Sequence, residues 1–161
     1  MSNQSEPKTW WTPNRRWGLA WILVGLWALF IFFMSANTGE DLAHGTGIVA
    51  TIRQYLDGLQ QAWFGTEIDM VSPVAHFLEY TVFGLLLAYA LGLRMGLAQS
   101  MVLAIVIASC YGVTDEFHQY FVPGRTTDVM DGLVDTIGAA LGAAIYGHFR
   151  FHGLPGRKKQ D

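Results

Sequence analysis

The sequence predicts an all-α membrane protein: four transmembrane helices in an antiparallel bundle plus one amphipathic extracytoplasmic helix. Three observations lead there. Of 161 residues, 52% are hydrophobic and only 14% are charged, where a soluble domain carries about 25% charged residues. The apolar residues gather into four long runs, while a fifth stretch shows amphipathic helical spacing. Lysine and arginine fall almost entirely on one side of those runs. The length suits one domain. A net charge of −3 carries no footprint of nucleic acid binding. The single cysteine, Cys110, excludes an intramolecular disulfide and a thiolate metal site built by one chain.

The first span, about residues 17–34, reads WGLAWILVGLWALFIFFM without a charge, long enough to cross a bilayer. Arg15 and Arg16 before it also suit a signal peptide. The run exceeds a signal core and MSAN is a poor cleavage site, so the segment is expected to remain a span. The second span covers about 73–93, with Ser72 as N-cap and Pro73 at the first helical position. The third covers about 97–114 and the fourth about 129–149; their short connections imply antiparallel neighbours. Between the first two spans, Ile48, Val49, Ile52, Leu56, Leu59 and Trp63 recur at helical spacing, with Arg53, Gln54, Asp57 and Gln61 largely opposite. This predicts an amphipathic helix over about 47–64, stopped by Gly65. It lies either on the membrane surface or as a small packed lid.

Lys8, Arg15, Arg16, Arg94, Arg150, Arg157, Lys158 and Lys159 share one side of a four-span chain, and only Arg53 and Arg125 fall on the other. That bias makes residues 1–16 and 150–161 cytoplasmic tails around a membrane domain at 17–149. Trp10, Trp11, Trp17 and Trp21 then suit the cytoplasmic interface.

This orientation brings the remaining charges together. Span two enters from outside, so Glu79 sits roughly 9 Å below its start, with His76 and Tyr80 on the same face. Span three ends just before Asp115 and Glu116, with His118, Gln119 and Arg125 following in the connection. Span four re-enters with Asp131 in its first turn and Asp135 one turn deeper. All these residues reach the same outer edge. Glu79 and Asp135 should face the bundle interior or a wet cavity, because a carboxylate in lipid is costly. Gly138 and Gly142 form a GxxxG pattern that permits close helix packing. Simpler readings stand beside these: Asp128 as an N-cap, Asp115 and Glu116 as solvated loop charges, and VPGR as a turn. Glu79, Asp115, Glu116, Asp128, Asp131 and Asp135 make six acids against Arg125 and two histidines. Either some stay protonated or a cation joins them. The N and O donors suit a divalent metal, although their spacing matches no strong metal signature.

The stretches HFLEYTVFGLLL and DEFHQYFVPGRTTDVMDGLVDTIGAALG resemble the VanZ-like family of small bacterial membrane proteins. His76, Glu79, Tyr80, Gly84, Asp115, Glu116, Gln119, Phe121, Pro123, Gly124, Arg125, Asp131, Gly138 and Gly142 carry the likeness. One departure is Asp135, which stands where the family often has asparagine. The resemblance implies a bacterial inner-membrane protein and an association with resistance to teicoplanin-type glycopeptides. It implies no particular reaction.

Three functional classes follow. In the first, the polar mouth binds or modulates a membrane lipid, a lipid-linked cell-wall precursor or a lipoglycopeptide. Arg125 would hold phosphate or carboxylate, with Tyr80, Asp115, Glu116, His118, Gln119 and Asp131 around the ligand. In the second, a hydrolase or transferase works on lipid-linked phosphate or acyl groups, with Glu79, Asp135 and His76 as acid–base candidates. The spacing Arg125–x5–Asp131–x3–Asp135 is similar to the Arg–x5–His–x3–Asp element of membrane lipid phosphatases, but aspartate replaces the nucleophilic histidine. In the third, the carboxylates serve a proton- or cation-coupled carrier. Four spans are few for a carrier unless a homo-oligomer forms.

Overall fold

The computed structural model describes residues 13–37, 48–65, 71–123 and 129–152. Among them are five helices and no strand: α1 (Pro13–Ser35), α2 (Ile48–Phe64), α3 (Val71–Gly92), α4 (Leu97–Gln119) and α5 (Val129–His152). All but α2 are long and apolar enough to cross a membrane. Their exposed surfaces carry Leu19, Leu23, Leu26 and Phe33 on α1, Val102 and Val106 on α4, and Leu133 and Ile137 on α5. In water these would be a liability; in hydrocarbon they are the ordinary outer face of a bundle.

Small residues decide the packing. A Cβ added to Gly138 would lie 2.6 Å from the Phe77 carbonyl oxygen; one on Gly84 would strike the Ala139 backbone, and one on Gly142 the Thr81 carbonyl. Helices α3 and α5 therefore touch backbone to backbone, a contact available only where side chains are missing. On α4, Ser100, Ala104, Ala108, Gly112, Asp115 and Gln119 form one buried row. Hydrogen bonds lock the register: Ser109 and Thr136 hydroxyls lie 2.9 Å apart between α4 and α5. The Trp27 indole N–H donates to the Glu79 carbonyl at 2.9 Å, and the Tyr111 hydroxyl donates to the Ala28 carbonyl at 2.7 Å. These tie α1 to α3 and α4.

Two sequence expectations need correction. The third span does not stop before Asp115: α4 continues to Gln119, so Asp115, Glu116, His118 and Gln119 are helical residues rather than loop charges. The buried row explains this, because Gly112, Asp115 and Gln119 extend the face begun by Ser100 and no breaker intervenes. Helix α3 starts at Val71, which moves Ser72 and Pro73 inside the first turn. There a missing proline N–H costs no helical hydrogen bond. The suggested Asp128 cap and the VPGR turn beyond Pro123 lie outside the described residues, as do Trp10, Trp11 and the basic tail from 153 onward.

Helix α2 ends where expected. Gly65 takes φ +83°, open to glycine, and its N–H reaches the Gln61 carbonyl at 3.2 Å. The helix is inverted relative to a soluble lid. At 3.6 residues per turn, the exposed Ile48, Ile52, Tyr55, Leu56, Leu59 and Trp63 point roughly 130° away from Ala50, Arg53, Asp57 and Gln60. The latter four are its more buried positions. Most of its apolar stripe faces away from the protein, as expected of a helix lying in a membrane interface, while Ile52 and Leu56 also border the bundle.

Candidate functional site

The first turns of α3, the last turns of α4 and the first turns of α5 meet at one end of the bundle, with the end of α1 beside them. The opposite end is marked by Arg94, which stacks 4.0 Å over the Trp17 ring and donates to Asn14 at 3.2 Å.

At the centre of the polar end, His76 Nδ1 lies 3.1 Å from Asp135 Oδ1. His76 is 5% exposed and Asp135 is fully buried. Room for that carboxylate comes from Gly112, where a Cβ would approach Asp135 Oδ2 to 2.9 Å. Tyr80, one turn from His76 and also fully buried, lies parallel to the imidazole with centroids 6.5 Å apart. Neither the Tyr80 hydroxyl nor Asp135 Oδ2 has a hydrogen-bond partner among the described residues. Asp115, 4% exposed, accepts from Gln119 Nε2 at 3.2 Å.

A cavity of about 130 Å³ opens beside this pair. Met34, Ile52, Leu56, Val71 and Ala75 form its apolar wall, and His76, Glu79 and Asp115 its polar floor, with Arg53, Ser35 and Ser72 around them. Arg53 Nε is 3.1 Å from both carboxylate oxygens of Asp57, one turn along α2. On another side of His76, one ligand atom each from His76, Glu116 and Asp131 lie within 4.8 Å of one another. His76 thus belongs to both groups. Glu116 and Asp131 do not line the cavity, and Asp135 sits behind His76 rather than in the opening.

The expected residues are therefore distributed unequally. His76, Glu79 and Asp115 share the cavity; Glu116 and Asp131 gather on the other side of the imidazole. His118 turns its ring against Phe32 of α1, 4.4 Å between centroids. Arg125 lies outside the described residues. Sequence reasoning overlooked Gly112, Ser35 and Arg53. Gly112 could have been found from the i+3 and i+4 row on α4, and Arg53 from being one of two cations assigned to the outer side. Nothing local marked Ser35.

In a scan of family sequence profiles, the VanZ/LLP1 family matches residues 20–150, most of the chain and every helix that contributes to the site. No curated protein and no solved structure matches.

Proposed function

The chain belongs to the VanZ/LLP1 family, and from that premise we propose a bacterial cytoplasmic-membrane protein that binds or modulates a lipid-linked cell-envelope molecule at its extracytoplasmic face. One observation carries the reading: the cavity joins an apolar wall to a polar floor beneath a helix whose apolar stripe faces outward. A lipid enters such a mouth sideways, head group on His76, Glu79 and Asp115 and chains along Ile52 and Leu56. The cavity of about 130 Å³ suits a head group and is smaller than the roughly 300–1,000 Å³ typical of pockets for drug-sized ligands. A teicoplanin-type molecule would engage only through its acylated part. The orientation rests on the eight cytoplasmic lysines and arginines. Arg94 lies at the end opposite the cavity, in agreement with that assignment.

A second reading has its own support. The His76–Asp135 pair has the form of an oriented general base, an imidazole held by a buried carboxylate. A hydrolase or transferase working on lipid-linked phosphate or acyl groups would use it, with Glu79 facing the substrate. A carrier is less well supported, because the interior beyond Tyr80 is lined by Phe83, Leu87, Ala104, Ala108, Ala139 and Ala143.

The test is lipid mass spectrometry of the protein purified in mild detergent. Wild type should retain a defined lipid class that Arg53→Ala, Arg125→Ala and Glu79→Gln lose several-fold. Equal retention of the same lipids by all four proteins would refute the binding site. An altered lipid product in cells expressing wild type but not Glu79→Gln would favour the enzyme.

A further inference from the structure

His76, Glu116 and Asp131 come from three different helices, yet each places a ligand atom within 4.8 Å of the other two. We propose that these side chains bind one divalent transition-metal ion, with Asp135 as the carboxylate behind His76 that orients it. One imidazole nitrogen and two carboxylate oxygens form a mixed donor set suited to zinc, manganese or ferrous iron. Two donors on one such ion, at about 2.0–2.2 Å each, are at most ~4.4 Å apart. The observed spread, up to 4.8 Å, has to shrink to that limit for all three to ligate one ion. Three protein ligands leave coordination positions for water or for a ligand oxygen.

A second observation, independent of those distances, points the same way. Metal-binding histidines usually pass their other ring nitrogen to a carboxylate, which sets the tautomer and strengthens the ligand. Here Nδ1 is taken by Asp135, a residue with no exposure at all. The His76 residue is itself only 5% exposed. With Nδ1 held by Asp135, Nε2 is the nitrogen left for an ion.

The site goes beyond the lipid reading and stands without it.

The experiment uses the full chain in detergent, stripped with a chelator and titrated with Co²⁺, whose visible bands report N/O coordination. Zn²⁺ competes, and bound metal is counted by elemental analysis. Wild type should bind one ion per chain. Glu116→Gln and Asp131→Asn should each weaken binding at least tenfold. Asp135→Asn should weaken it by about ten- to a hundredfold through His76. Asp57→Asn, on α2, should bind as wild type. Size exclusion and helical circular dichroism verify that each variant is folded. Less than a tenth of an ion on wild type overturns the proposal, as does wild-type affinity in both Glu116→Gln and Asp131→Asn. Equal loss in Asp57→Asn also overturns it, by showing general charge attraction.

Discussion

Alanine at Gly138 tests whether backbone contact between α3 and α5 builds the site. The new methyl would sit 2.6 Å from the Phe77 carbonyl oxygen and 3.2 Å from the Thr81 nitrogen, whereas ordinary contact begins near 3.4 Å. Both obstacles are backbone, so neither can rotate away, and the helices must part by about 0.8 Å, from 2.6 Å to 3.4 Å. Overpacking of this kind costs about 1–3 kcal/mol, a roughly 5- to 150-fold shift in the folded population. The same displacement carries Asp135, three residues before Gly138, away from His76. Their 3.1 Å contact would then lengthen toward 4 Å, beyond hydrogen-bond range. The assay is reversible unfolding in mixed detergent, paired with Co²⁺ titration. Gly25→Ala on α1 is the control, because nothing lies within 4 Å of its added Cβ. There alanine should stabilise by up to about 1 kcal/mol through helix propensity. The opposite signs distinguish packing from propensity. If Gly138→Ala matched Gly25→Ala in sign, with metal affinity intact, the backbone-contact account of the site would be wrong.

Two further outcomes follow from single contacts. Trp27→Phe and Tyr111→Phe each delete one hydrogen bond from α1 to its neighbours and should cost about 0.6 kcal/mol, at most ~1.7, in the same unfolding assay; a cost above 3 kcal/mol for either would mean that α1 is held by something else. Nitroxide labels placed by cysteine at Ile52 and at Gln54, in a Cys110→Ala background, should differ in vesicles. The Ile52 label should relax faster with oxygen and the Gln54 label with a water-soluble nickel complex; identical behaviour would rule out an apolar face turned to lipid.

Much of this arrangement was legible in the chain. Hydropathy and length are local, so four spans and the amphipathic helix could be read directly. The opposite periodicities of Ile52 and Arg53 also showed that α2 has two faces. Which face turns inward was not legible: a packed lid and an interfacial helix share one sequence pattern and differ only in what surrounds them. The end of α4 was misplaced for a related reason. Charged residues after Val113 look like a loop when judged by polarity, but Asp115 and Gln119 continue a row that is buried because α3 and α5 cover it.

Composition and residue order by themselves determined a helical membrane protein with its acids gathered at one end, because cost in hydrocarbon depends on each side chain separately. Tertiary structure alone decided that Asp135 meets His76 across 59 positions, that Glu116 and Asp131 converge on its other side, and that Glu79 and Asp115 open to a cavity instead. Those partnerships depend on the rotation and depth of three helices relative to one another. Glycines 84, 138 and 142 set that registry through backbone contacts that no single segment contains.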